Sequence, residues 1–84
     1  MIDRKNKYID ITFQDGPVKE NGRNGCQIDD VLEVLIERLQ NFQAGEFRCR
    51  ENAITITKLE EGLMWQQRRT MDRLSRGVEG YDKQ

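Results

Sequence analysis

Ile28-Asp29-Asp30-Val31-Leu32-Glu33-Val34-Leu35-Ile36-Glu37-Arg38-Leu39-Gln40-Asn41-Phe42 is the stretch on which the fold turns. Ile28, Val31, Leu32, Leu35, Ile36, Leu39 and Phe42 recur at intervals of three and four residues, the spacing of one helical face. Asp29 and Asp30 fall in the first turn, where the helix dipole favours negative charge, and Ala44-Gly45 stops the helix after Phe42. The pattern predicts an amphipathic helix over 27–42. Further along, Ala53, Ile56, Leu59, Leu63 and Thr70 share one face of a second helix predicted over 50–76, with Gly77 suited to cap it. Gly62 inside that helix costs up to about 1 kcal/mol against Ala and points to close packing of another backbone. The short link from Gln43 to Arg48 makes the pair an antiparallel hairpin.

Towards the N-terminus, Tyr-Ile-Asp-Ile-Thr-Phe at 8–13 alternates and is rich in β-branched and aromatic residues, which predicts a half-buried strand over 7–14. Asp15-Gly16-Pro17 turns the chain, and Val18-Lys19-Glu20 is long enough for a short second strand, giving a ribbon over about 7–20. The loop Asn21-Gly22-Arg23-Asn24-Gly25 then leads to the first helix. Two short strands are not stable alone, so the ribbon must lie on helices or on a partner's strand. The fold class is α+β: a short antiparallel β-ribbon followed by an antiparallel two-helix hairpin, in one domain over 1–84 with a frayed tail at 81–84. In a chain of 84 residues the burial of apolar surface and the entropy of ordering nearly cancel, so a lone copy is marginal and assembly into an oligomer is expected.

Composition excludes several functions. Fourteen Lys and Arg against fifteen Asp and Glu leave a net charge of −1, with no global pull towards DNA or an anionic membrane. Cys26 and Cys49 are too few for a disulfide framework and read as small buried hydrophobes in a reduced cytoplasm. With no His, a Ser/His or Cys/His couple is impossible and a soft-metal site lacks ligands. The adjacent carboxylates Asp29/Asp30 and Glu60/Glu61 diverge on a helix and make no acid/base pair. No cofactor is implied.

The strongest charge feature is Gln66-Gln67-Arg68-Arg69-Thr70-Met71-Asp72-Arg73-Leu74-Ser75-Arg76. Arg69, Arg73 and Arg76 line one helical face as a fork for phosphate, with Trp65 one turn earlier as a plate for a base. The other reading is a solvated basic face paired with Glu60, Glu61 or the acidic first helix. Phe42 and Phe47 flank the inter-helix turn, Phe42 either as core or as a stacking ring, and Asn52 follows, either as a helix cap or as a ligand contact. The Asn21–Gly25 loop offers backbone N–H groups to an anion, or merely redirects the chain.

Two stretches carry a family resemblance: Phe13-Gln14-Asp15-Gly16-Pro17-Val18-Lys19-Glu20 with Asn24-Gly25, and Cys49-Arg50-Glu51-Asn52-Ala53 through Thr57-Lys58-Leu59-Glu60-Glu61 and Met64-Trp65 to Arg68-Arg69-Thr70 and Arg76-Gly77-Val78-Glu79-Gly80. Over roughly residues 8–80 the chain resembles the phage anti-Thoeris signal sponges, which share a helical hairpin with phage sponges of cyclic-oligonucleotide (CBASS) signals. The resemblance implies a non-enzymatic protein that sequesters glycocyclic ADP-ribose, the signal of bacterial TIR-domain enzymes, in the cytoplasm of the infected host. It also implies dimers assembled into hexamers and, in some members, binding of cyclic dinucleotides or trinucleotides at separate inter-subunit pockets. The family's ADP-ribose pocket uses an aromatic late in the first helix, an Asn early in the second and an Arg some four turns on. These fall on Phe42, Asn52 and Arg69, with Arg73 beside them. Arg23, Gly62 and Gln66 stand out from the family's usual residues, and members often carry a longer N-terminal segment that would supply a pocket wall.

The expected function is therefore a sponge in which Phe42 stacks on adenine, Arg69 holds phosphate and Asn52 hydrogen-bonds base or ribose, with neither membrane nor DNA as a partner. The rival is a phage adaptor that binds a host protein through its apolar helix faces.

Overall fold

The computed structural model describes residues 3–77, in the order β1 (Asp3–Lys5), β2 (Asp10–Thr12), α1 (Val18–Asn21), α2 (Ile28–Ala44) and α3 (Arg50–Ser75). The described residues gather into two compact units, one made of residues 29–68 and the other of 3–28 with 69–77. The expected tail at 81–84 lies outside the described residues.

In the first unit α2 and α3 form the expected hairpin, with helix bounds within two residues of those read from the sequence. The enclosed or half-buried positions of α2 are Asp29, Asp30, Val31, Leu32, Ile36, Leu39, Phe42 and Gln43, and those of α3 in this unit are Asn52, Ile56, Leu59, Gly62, Leu63 and Gln66. Within them Asp29, Leu32, Ile36, Leu39 and Gln43 on α2, and Asn52, Ile56, Leu59, Leu63 and Gln66 on α3, step by three and four, the heptad spacing of helices packed along one seam. Ile36, 8% exposed, is the most enclosed apolar side chain described. The seven-residue stripe of α2 is thus two stripes. Leu32, Ile36 and Leu39 belong to the seam, whereas Ile28 and Leu35 on the neighbouring face remain exposed. On α3 the seam takes Asn52 rather than Ala53, which is exposed.

The turn between the helices is held by one side chain. Gln43 Nε2 donates to the Cys49 carbonyl at 2.9 Å, and the Cys49 N–H donates back to Gln43 Oε1 at 2.9 Å. Cys49 itself caps α3, its Sγ accepting from the Asn52 N–H at 3.4 Å. It is exposed, and Cys26 is only partly enclosed, so neither is a buried hydrophobe. Gly45 closes α2, donating to the Phe42 carbonyl at 3.2 Å.

The second unit corrects the ribbon. β2 lies inside the predicted strand, but its partner is β1, upstream, in antiparallel register Asp3↔Thr12, Arg4↔Ile11 and Lys5↔Asp10. Asn6 makes the hairpin turn, its Oδ1 accepting from the Tyr8 and Ile9 N–H groups at 2.8 and 2.9 Å. That is an Asx turn, which lets a charged tripeptide with no strand pattern pair at a sheet edge. Val18-Lys19-Glu20, expected as a strand, lies instead in the helical turn α1 (Val18–Asn21). Pro17, at φ −64°, is preset for the entry, its carbonyl accepts from Glu20 and Asn21, and Gly22 at φ +74° ends the turn.

Cys26 joins this sheet, donating to the Thr12 carbonyl and accepting from the Gln14 N–H, both at 2.8 Å, in a parallel bridge with Phe13. The approach is so close that a Cβ on Gly25 would lie 2.5–2.7 Å from Phe13 and Gln14 backbone atoms. Gln14 holds the loop. Its Nε2 donates to the carbonyls of Gly16 (3.2 Å) and Gly22 (2.8 Å), and its Oε1 accepts from the N–H groups of Asn24 (3.0 Å) and Gly25 (3.3 Å). Gly62 behaves differently from its expectation: a Cβ there would meet nothing within 4 Å. Gly77, at φ +71°, caps α3 as predicted, donating to the Leu74 carbonyl.

Candidate ligand-binding site

Phe42 and Asn52 stand on either side of the Gln43–Cys49 clamp, at the turn end of the hairpin, and both are half-buried. The heptad spacing sets Asn52 on the seam of α3, and Cys49 performs the capping for which Asn52 was a candidate. The Asn52 side chain makes no hydrogen bond to the described residues, so a half-enclosed amide keeps its donor and acceptor for another group. Phe42 carries the Arg38 guanidinium 4.3 Å from its ring centroid. The turn end therefore combines an aromatic plate, a cation and an amide, the groups that recognise a base.

The arginines lie at the other end of α3, with residues 69–77 in the second compact unit. Arg69 is exposed and makes no ion pair among the described residues. Arg73 is 7% exposed and held by its surroundings. Arg76 Nε lies 3.1 Å from Asp72 Oδ2. The three consequently do not form an open fork: one is free to meet a phosphate, one is enclosed and one is paired. Trp65, 59% exposed, associates with Arg68, whose guanidinium stands 5.4 Å from its ring, rather than with Arg69. At the loop the plainer reading prevails, because the Asn24 and Gly25 N–H groups already donate to Gln14.

Asn52 and Arg69 are separated by 17 positions of α3, with Asn52 in the unit of residues 29–68 and Arg69 in the other. Among the described residues no cluster of acidic or sulfur ligands fits a metal ion, and no helix is long and apolar enough to cross a membrane.

The geometry now has relatives to stand beside. The family model described as the Acb2/Tad1 hairpin domain matches residues 5–71. The chain belongs to the Acb2/Tad1 hairpin family. A curated relative, Thoeris anti-defense 1 of Bacillus phage SBSphiJ7, is 55% identical over 74 residues, which take in 88% of this chain and 52% of the relative. The chain spans about half the length of that relative. The Acb2/Tad1 match takes in β2, the Gln14-centred loop, all of α2 and α3 as far as Met71, so it includes Phe42, Asn52 and Arg69 and stops short of Arg73. Sequence reasoning missed Arg38. Its signal was the i,i+4 spacing to Phe42, which sets a cation over a ring one turn away.

Proposed function

We propose that this chain is a non-catalytic phage anti-defence protein that binds and sequesters a cyclic ADP-ribose-type signal, glycocyclic ADP-ribose, between copies of itself in the cytoplasm of the infected bacterium. Membership of the Acb2/Tad1 family and the anti-defence name of the SBSphiJ7 relative support the role. The observation that carries the ligand reading is the turn end of the hairpin, where Phe42 of α2 and Asn52 of α3 flank the Gln43–Cys49 clamp. The Phe42 ring and the Asn52 amide, which makes no hydrogen bond to the described residues, offer a plate and polar contacts for a base, and exposed Arg69, with no ion pair among the described residues, offers a cation for phosphate. In this reading the site takes Phe42 and Asn52 from one copy and Arg69 from the next. Exposed Ile28 and Leu35 beside the seam of α2 supply apolar surface for the assembly, a dimer-based hexamer.

In this reading Phe42 stacks on adenine, Asn52 hydrogen-bonds base or ribose, Arg69 binds the pyrophosphate, and Arg73, one turn on, supports that end of the site. The sequence has no His and sets no nucleophile beside a base, which favours capture without cleavage. The protein is incubated with glycocyclic ADP-ribose and with cyclic di- and trinucleotides, filtered, and both fractions are chromatographed before and after heat denaturation. The signal should be retained in proportion to protein and released unchanged. A linear or hydrolysed product in excess over protein refutes sequestration. The adaptor reading draws on Met64, Trp65 and Met71, which leave an apolar strip on α3 exposed. No retention of any nucleotide, with a host protein bound at that strip, would favour it.

A further inference from the structure

Arg38 lies one turn before Phe42 on α2, and its position over the ring has a local cause. Its helical neighbours three and four residues away are Val34, Leu35, Asn41 and Phe42, none of them acidic. No intrahelical ion pair draws the guanidinium aside, and the one attraction within a turn is the negative face of the ring. The guanidinium carbon accordingly settles 4.3 Å from the Phe42 centroid. Among the described residues this ring contact is the only interaction Arg38 makes, so its N–H donors stay available while its plane is held. The last turn of α2 contains no cation of its own.

We propose that Arg38 is a ligand-positioning residue of the Phe42 site, specific for an adenine nucleotide that carries a pyrophosphate. By covering one face of the ring, it confines the base to the other face, in a guanidinium–ring–base stack. It also places a fixed positive charge beside the aromatic plate, where the phosphates of a base stacked on that plate must pass. The charge is complementary: an anionic nucleotide gains from it, and a neutral nucleoside gains only the stacking. The inference rests on the reading of Phe42 as the base-stacking residue.

The test is calorimetric titration of glycocyclic ADP-ribose into the wild-type protein, Arg38→Ala, Arg38→Lys and Phe42→Ala, each at low and at physiological salt. Arg38→Ala should bind about tenfold more weakly and show a flatter salt dependence, and Arg38→Lys should restore the salt dependence with part of the affinity. Because Arg38 is exposed, helix content and oligomer size should not change in either variant. Wild-type affinity and salt dependence in Arg38→Ala, or tighter binding once the ring face is uncovered, would overturn the proposal while leaving the Phe42 site standing. Wild-type affinity in Phe42→Ala, or no binding by the wild-type protein, would overturn the site reading and the role of Arg38 with it.

Discussion

Two binding-deficient variants should repair one another when mixed. Arg69→Ala removes the phosphate end of the site from a chain that keeps Phe42 and Asn52, and Phe42→Ala does the reverse. In the proposed site Phe42 and Asn52 come from one copy and Arg69 from the next. In a two-fold dimer that has one Phe42 and one Arg69 facing each other at each of two sites, a mixed pair rebuilds one intact site and leaves the other doubly defective. Equal random mixing makes half the pairs mixed, which restores about a quarter of the wild-type sites, at wild-type affinity. The assay is titration of glycocyclic ADP-ribose into each variant alone, into the two simply combined, and into the two unfolded and refolded together. The separate variants should bind at least tenfold more weakly, since each loses a charge-assisted or stacking contact. The co-refolded sample should regain high-affinity sites at the fractional stoichiometry above. A co-refolded sample that forms mixed oligomers yet binds no more than its components would refute a site shared between copies.

The remaining predictions concern single side chains. Arg73→Ala should lower the melting temperature, with a loss of about 2 kcal/mol or more for an enclosed guanidinium, whereas exposed Arg69→Ala should leave thermal unfolding unchanged; equal melting curves would contradict the burial difference. Gly25→Ala should disrupt the Phe13–Cys26 bridge, because its Cβ meets backbone at 2.5–2.7 Å, and hydrogen exchange at the Gln14 and Cys26 amides should rise while the α2–α3 hairpin keeps its protection. Gly62→Ala, with open space around its Cβ, should raise helix stability by about 1 kcal/mol in thermal melts read by circular dichroism. Cys49→Ala should cost about 1 kcal/mol through loss of the α3 cap, and Cys49→Ser should recover it, since a hydroxyl caps well.

Both helices and their ends were legible in the sequence because the signals are local. The three-and-four spacing of Leu32, Ile36 and Leu39, the acidic first turn, Ala44-Gly45 and Gly77 act through neighbours within a turn, and α2 and α3 fall where those residues place them. The error at 18–20 has an equally local cause. Three residues carry too little pattern to separate a strand from a turn of helix, and the preset φ of Pro17 decided for the helix. The pairing of β1 with β2 was not legible, because Asp-Arg-Lys has no strand signature and is held at the edge by the Asn6 turn.

For the site, the sequence by itself determined which residue types are present and which share a helical face: a ring at 42, an amide at 52 and arginines at 69, 73 and 76, with no histidine to support the commonest acid–base chemistry. Only the tertiary structure decided their availability. Arg69, Arg73 and Arg76 are alike in the sequence, yet one is exposed and unpaired, one is 7% exposed and one is held by Asp72. The reason is physical. Side-chain identity and helical phase follow from the order of residues, whereas burial and pairing depend on which distant segment folds against each face.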